Sequence, residues 1–299
     1  MTTSPRQDQS AFALRTLGGV SLRGDHSAAR FKLRKKDLAL LIYLCIEGGG
    51  PRSRVFLSSL LWGDRPQPRA RHSLTQAVGR LRSVIGNDAL IPRSEQIHWR
   101  GSLSCDAFAL ERAYAGDDRA VVENMYAGDF LADFEIGSGA EEFDVWAEQR
   151  RARYRTMALH VVEGLGAQAE AAGRWPEALE LGRRAVEIEA LYEAGHRRIM
   201  RALTALGERG LALSHYGELA LWLQQRVQLQ PDPATTQLAT ELRSGVNPQV
   251  PQVALEGVSN GNRNKALHPD DPGAGRNVFT RMVRAFGNRT SAWRDRARP

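Results

Sequence analysis

The chain has little of what marks a secreted, membrane or metal-binding protein. Cysteine occurs only twice, at Cys45 and Cys105, and neither has a metal-ligand neighbour at useful spacing. The longest apolar run, Leu38 to Ile46, is far too short to cross a bilayer. The first eight residues contain no apolar signal-peptide region. We therefore expect a cytoplasmic protein with no membrane partner, no metal and no cofactor.

Enzyme motifs are missing as well. The seven histidines are scattered, and the sequence contains no His-Glu-x-x-His, Cys-x-x-Cys or Gly-x-Ser-x-Gly motif. The segment Gly137-Ser138-Gly139 lacks a strand-to-helix context and is interpreted as a loop. Acidic pairs within residues 129–148 are typical of a solvated helix face. The sequence predicts that the protein is not an enzyme.

Positive and negative charges are concentrated in different parts of the sequence. Residues 1–104 hold 17 Lys and Arg against 7 Asp and Glu, a net of +10, whereas residues 105–240 hold 14 against 22, a net of −8. Residues 241–299 hold 10 against 5, which completes the overall net charge of +7. A basic segment followed by an acidic one indicates a polyanionic partner for the first segment only.

The clearest helical pattern runs from Arg69 to Ile85 and ends at Gly86. Its apolar residues recur every three or four positions and form one stripe to bury: Ala70, Leu74, Ala77, Val78, Leu81, Val84 and Ile85. The opposite face carries Arg69, His72, Gln76, Gly79 and Ser83, flanked by Thr75, Arg80 and Arg82. No carboxylate interrupts the stretch. Such a face suits a groove lined with phosphates, although most arginine-rich helix faces are simply solvated surface.

The elements around this helix predict a winged helix-turn-helix. Short strands are expected at residues 12–17, 20–23 and 31–33, and helices at Lys35 to Glu47 and after Ser53. A hairpin, Leu90-Ile91 and Ile97-His98-Trp99, follows the third helix around the polar turn 93–96. Strands, three helices and a hairpin, in that order, correspond to the OmpR type of this fold.

Within that fold the contacts with DNA can be assigned by residue chemistry. Base contacts are predicted for Arg69, His72, Thr75 and Gln76, because Gln can pair with adenine, Arg with guanine, and the Thr methyl can touch thymine. For His72 and Thr75 a capping or packing role stays open. Phosphate contacts are predicted for Arg34, Lys35, Lys36, Arg52, Arg54, Arg80 and Arg82. Arg93, at the hairpin turn, is placed to enter a neighbouring minor groove.

From Asp106 onward the pattern becomes helical and repetitive. Residues 106–125 suggest short helices, and Glu141 to Gly164 a long one. Ala172-Gly173-Arg174 with Ala178-Leu179 recurs as Leu206-Gly207-Glu208 with Ala212-Leu213, an offset of 34 residues that is typical of tetratricopeptide units. A last helix is expected from Ala234 to Arg243. Residues 244–299 are interpreted as a disordered basic tail, in which 278–286 could form a basic amphipathic helix.

This arrangement resembles the SARP-type antibiotic-regulatory activators, an OmpR-like winged helix followed by a bacterial transcriptional activator domain. The resemblance covers about residues 11–243. Its segments, in order, are residues 17–22, 34–36, 60–64, 71–74, 80–82 and 126–131, Trp146 with Arg150, and residues 231–236. Since the chain has no Gly-x-x-x-x-Gly-Lys-Ser/Thr loop, it is similar to the short members that lack an ATPase domain.

The resemblance implies a fold and a function. The fold is mainly α with small β: a winged-helix DNA-binding domain at 11–104 and an all-α, tetratricopeptide-like activator domain at 105–243. The implied function is a promoter-binding activator, associated with the nucleoid and serving secondary metabolism. Its implied partners are double-stranded promoter DNA with repeated sites, RNA polymerase holoenzyme through its sigma and alpha subunits, and a second copy bound head to tail. A helical-repeat adaptor whose basic N-terminal domain binds something else stays open.

Overall fold

The computed structural model describes residues 12–24, 33–48, 50–101 and 103–245. It divides into two compact units, Met1–Ala158 and Leu159–Pro299, with the division inside one long helix. The predicted domain boundary at 104/105 is not where this division falls. The first ten residues, Phe31 and Lys32 of the third predicted strand, and the tail from 246 lie outside the described residues.

The first unit begins with a small sheet. Strands β1 (Phe12–Arg15) and β2 (Ser21–Gly24) pair antiparallel, with Leu14 opposite Leu22. A third strand, β6 (Ser104–Cys105), joins β1 in parallel about ninety residues later in the chain. The predicted hairpin is confirmed. The parallel strand was not predicted, because its two residues carry no local pattern.

Three helices follow that sheet: α1 (Lys35–Ile46), α2 (Arg54–Trp62) and α3 (Gln67–Ile85). Helix α1 is buried along most of its length, since the apolar run from Leu40 to Leu44 lies inside the unit. Helix α3 begins two residues earlier than predicted, at Gln67, and Pro68 lies in its first turn, where the fixed φ of proline suits a helix start. Gly86, with φ of 95°, ends it as predicted. Ser53 stands at the N-cap of α2, but its side chain makes no capping hydrogen bond.

The wing is a sheet of three strands rather than a hairpin. Strands β4 (Leu90–Pro92) and β5 (Gln96–Trp99) form the predicted pair, and β3 (Arg52–Ser53) adds to β5 antiparallel. Two-residue strands leave no period in the sequence, so β3 was missed. Its addition ties the start of α2 to the wing, because Ser53 directly precedes that helix.

The same unit also contains α4 (Asp106–Ala115), α5 (Arg119–Met125) and the start of α6 (Glu141–Ala171). The Asp106 carboxylate accepts hydrogen bonds from the amides of Thr16 and Leu17, at 2.8 and 2.9 Å, and from the Thr16 hydroxyl at 2.6 Å. Trp146 on α6 packs against Tyr43 of α1, with ring centroids 5.0 Å apart. The first unit therefore consists of more than the predicted winged helix.

The second unit is a stack of helices. After the end of α6 come α7 (Trp175–Ile188), α8 (Glu193–Ala205), α9 (Arg209–Arg226) and α10 (Pro233–Ser244). The repeat is confirmed, since α7 and α9 begin 34 residues apart, each just after a left-handed glycine, Gly173 or Gly207. Helix α6 ends at Ala171 instead of the predicted Gly164, because glycines at 164 and 166 do not break it.

Candidate nucleic-acid interface

The exposed face of α3 is the centre of the candidate interface. Its apolar stripe is buried as predicted: Ala70, Leu74, Ala77, Val78 and Leu81. The residues of the opposite face are all exposed: Arg69, His72, Thr75, Gln76, Gly79 and Ser83. A Cβ at Gly79 would meet nothing within 4 Å, so the middle of this face is open to a close approach.

Gln76 is held by a neighbour one turn earlier on the helix. Its Nε2 lies 2.9 Å from Nε2 of His72. The amide nitrogen can only donate, so the ring nitrogen of neutral His72 accepts. This contact leaves the amide oxygen and one N–H of Gln76 directed away from the histidine, a donor and acceptor pair that matches the major-groove edge of adenine.

Thr75 is engaged within the protein. Its hydroxyl donates to the carbonyl of Arg71 at 2.9 Å and accepts from Nη2 of Arg54 at 2.7 Å. The hydroxyl is therefore committed, and the methyl group is what Thr75 can offer to a base. Arg54, predicted as a phosphate contact, is positioned beside α3 by the same hydrogen bond.

Arg80, predicted to contact phosphate, forms an ion pair with Asp37 of α1. Its Nε and Nη2 donate to the two carboxylate oxygens of Asp37, each at 2.7 Å. The Asp37 side chain is only 1% exposed and also accepts from the Arg34 amide at 3.0 Å. The hydrogen bonds that Arg80 donates to the Asp37 carboxylate raise the pKa of Arg80. Arg80 thus joins α3 to the start of α1.

Two further predicted phosphate contacts have partners inside the unit. Arg52 donates from Nη2 to the Glu47 carbonyl at 2.5 Å. The Nζ of Lys36 donates to the Ser138 carbonyl at 2.7 Å. The remaining predicted contacts have different degrees of exposure: Arg34, Lys35 and Arg93 are exposed, and Arg82 is half-buried. Arg93 stands at the wing turn, where its amide closes the hairpin on the Gln96 carbonyl.

Sequence reasoning missed Glu47, whose carboxylate connects the end of α1 with α6 and β3. Glu47, the residue after α1, accepts from Nε1 of Trp146 at 2.8 Å and from Arg150, and it lies 3.7 Å from Arg52. Burial favours protonation of Glu47, but the hydrogen bonds from Trp146 and Arg150 outweigh burial, and the pKa of the carboxyl is lowered. The Trp146 and Arg150 pattern noted in the sequence was the available signal; its acidic partner, about 100 residues away, was not visible.

Wing and helix are joined by one exposed ion pair. Arg71 of α3 donates to Glu95 of the wing turn at 3.2 Å. Both side chains are well exposed, so the pair adds little stability. It nevertheless places the wing turn next to the exposed face of α3, so that the two predicted DNA-contacting elements lie together.

Other site types receive no support from the described ranges. Within residues 12–24, 33–48, 50–101 and 103–245, no cluster of three or more His, Cys, Asp or Glu side chains could hold a metal ion. None of the helices in these ranges is long and apolar enough to span a bilayer.

Comparisons with known proteins identify one domain and a similar fold. The model of the bacterial transcriptional activator domain matches residues 100–243. The fold is similar to that of Mycobacterium tuberculosis EmbR in complex with a low-affinity phosphopeptide, with a TM-score of 0.58 and 16% identity over 81% of this chain and 67% of that one. No curated protein sequence matches the chain. The predicted fold class is confirmed, and residues 100–243 belong to the bacterial transcriptional activator domain family, the second domain that the resemblance to SARP-type activators implies.

Proposed function

We propose that this regulator binds promoter DNA sequence-specifically, laying the exposed face of α3 in the major groove. The observation that carries the proposal is that face itself: it is exposed, contains no carboxylate, and presents Arg69, His72 and Gln76 together. The wing turn with Arg93 then meets the flanking backbone or minor groove. Arg34, Lys35, Arg54 and Arg82 supply the phosphate contacts under this proposal.

The proposal also assigns a role to the acidic activator domain. Residues 105–240 carry a net charge of −8 and would repel DNA, so they are suited to a protein partner. That partner is RNA polymerase holoenzyme, through its sigma and alpha subunits, with two copies of the regulator bound head to tail on repeated sites. A cytoplasmic, nucleoid-associated location and a role in secondary metabolism belong to the same proposal.

The test begins with selection of binding sites from random duplexes by the purified chain. On the selected site, Gln76→Ala should weaken binding by about 1–3 kcal/mol and relax the preference at one base pair. Lys35→Ala should weaken all sequences alike. Four phosphate contacts should give a slope of log K against log salt of about −4.

The outcome that favours the adaptor function is equally definite. If neither substitution changes DNA affinity, and binding does not depend on salt, the basic domain has another partner. Transcription from the selected promoter, measured with purified holoenzyme with and without the regulator, tests recruitment separately. Equal transcript levels would contradict recruitment while leaving DNA binding intact.

A further inference from the structure

A cavity of about 300 Å³ lies within the first unit, beside the exposed face of α3. Residues from α1, the end of α2, α3 and the loop before α6 line it: Arg34, Lys35, Lys36, Asp37, Trp62, Arg65, Ser73, Gln76, Arg80 and Ile136. It shares Arg34, Lys35 and Gln76 with the proposed DNA contacts, whereas Trp62, Arg65 and Ile136 belong to the cavity alone. Its volume is at the lower end of the range for small-molecule sites.

The lining carries a strong excess of positive charge. Five of its ten residues are Lys or Arg, and Asp37 is the one carboxylate among them. Asp37 already accepts from two nitrogens of Arg80, so it does little to offset the other four cations. Cations that line a concave space favour an anion there, because their positive potentials add up inside the cavity.

Lys36 is the least exposed of those four cations. Its Nζ donates to the Ser138 carbonyl and lies 5.9 Å from the centre of the Trp62 ring. Burial lowers its pKa, and the neighbouring Arg65 acts in the same direction, while Asp64, Glu141 and Asp144 oppose them. Arg65 is positioned on the rim by a 3.0 Å hydrogen bond from Nη1 to the Ser73 hydroxyl. An anion in the cavity would compensate the burial of Lys36.

We propose that this cavity binds a phosphate group. A phosphate offers several charged acceptor oxygens on one centre, which matches guanidinium and ammonium donors approaching from several sides. The group can belong to a free phosphate ester or to the DNA backbone. Binding of free phosphate does not depend on the proposed DNA binding, so the two can fail separately.

The first experiment uses inorganic phosphate as the probe on the full chain. Phosphate, compared with chloride at equal ionic strength, should raise the unfolding midpoint of the wild type. In the double variant Arg34→Gln/Arg65→Gln, both positions being exposed, phosphate affinity measured by calorimetry should fall at least tenfold, since charge-assisted hydrogen bonds are lost. The matched control Arg93→Gln/Arg100→Gln removes two exposed charges outside the cavity and should keep the phosphate response.

Two results would overturn the proposal. One is a phosphate effect no larger than that of chloride, and the other is an equal loss in the cavity variant and the control. The unfolding midpoint in chloride shows that each variant is folded.

A second measurement assigns the source of the phosphate. If the DNA backbone occupies the cavity, phosphate should weaken DNA binding more than chloride does, and the difference should vanish in Arg34→Gln/Arg65→Gln. If a free ester is the ligand, DNA affinity in phosphate should equal or exceed that in chloride. This measurement is read together with the first experiment, which decides whether the cavity binds phosphate at all.

Discussion

At the scale of single residues, the pairing of Arg80 with Asp37 decides what Arg80 does. An arginine on a DNA-facing helix is ordinarily expected to contact phosphate, yet two of the three donating nitrogens of Arg80, Nε and Nη2, are bonded to a carboxylate that is 1% exposed. The Arg80 side chain is itself 30% exposed, so the pair joins a partly exposed arginine to a buried aspartate. Replacing Arg80, the more exposed partner, would leave the buried Asp37 charge without its counter-ion, and that costs more stability than replacing Asp37 would.

We expect Arg80→Gln to lower the free energy of unfolding by about 3 kcal/mol, because it leaves the Asp37 charge buried and uncompensated. The measurement is urea unfolding followed by circular dichroism. Lys35→Gln, one exposed charge on α1, is the control and should change the value by less than about 0.5 kcal/mol. Adding Asp37→Asn to Arg80→Gln should recover part of the loss; no recovery would contradict the pairing as the cause.

A second residue-scale feature is the histidine pair of the helical stack. Nε2 of His196 donates to the Ala190 carbonyl at 3.0 Å, and with this ring neutral its Nδ1 accepts the proton of His215 Nε2 at 2.9 Å. Burial favours the neutral form of both rings. Burial lowers the pKa of His196 and lowers the pKa of His215 to about 3, with help from His196 and Arg183.

The pH dependence follows from these depressed pKa values. Between about pH 6.5 and 3 the unfolded chain binds a proton at His215 and the folded chain does not, so stability falls as the pH falls, and the lowered pKa of His196 acts in the same direction. Each group contributes a slope of up to about 1.4 kcal/mol per pH unit. Unfolding in urea across this range should give a shallower slope for His215→Gln, whose amide can still donate to His196. An unchanged slope would contradict a neutral pair.

At the scale of elements, Gly166 allows α6 and α8 to approach. Arg198 of α8 is 2% exposed and donates to both carboxylate oxygens of Glu163, at 2.7 and 2.8 Å. A Cβ at Gly166 would lie 2.6 Å from the Arg198 guanidinium. The glycine therefore makes room for a buried cation between two helices.

Gly166→Ala should destabilise the protein by about 2–4 kcal/mol. Alanine gains up to about 1 kcal/mol of helix propensity, but displacing the guanidinium breaks a buried ion pair worth about 3–5 kcal/mol when disrupted. Gly217→Ala in α9, where a Cβ meets nothing within 4 Å, is the matched control and should be neutral or stabilising. Thermal unfolding compares the two; a stabilised Gly166→Ala would show that the arginine can move without cost.

The helices and strands also show how much of the fold could be predicted from the sequence. Helices α1 and α3, the wing hairpin and the 34-residue repeat were predicted because their signals are periodic and local. Strands β3 and β6 and the contacts of Asp106 with Thr16 were not predicted, because each joins short segments that lie far apart in the sequence. On α3, periodicity identified the exposed face, but it could not show that Arg80 and Thr75 already have partners inside the protein.

At the scale of the whole molecule, a destabilising substitution in one unit should leave the stability of the other unit unchanged. The pair of Arg80 with the buried Asp37 lies in the first unit, and the pair of the buried Arg198 with Glu163 lies in the second. Chains of this size with two cores need not unfold in one step.

We therefore expect hydrogen exchange to show local effects. Arg80→Gln should speed exchange in α1 and α3 and leave α7 to α9 near wild type, whereas Gly166→Ala should do the reverse. Mass spectrometry of peptides from each element makes the measurement. Uniform acceleration along the described chain by either substitution would indicate a single cooperative unit.

The contact between Asp106 and the end of β1 has a practical consequence for anyone who wants to isolate the DNA-binding portion. A fragment cut after residue 104 would lose the carboxylate that accepts the Thr16 and Leu17 amides, each costing about 1–3 kcal/mol when left without an acceptor. It would also lose the Trp146 ring that covers Tyr43. The shortest stretch expected to fold by itself therefore extends to about residue 158, well past the wing.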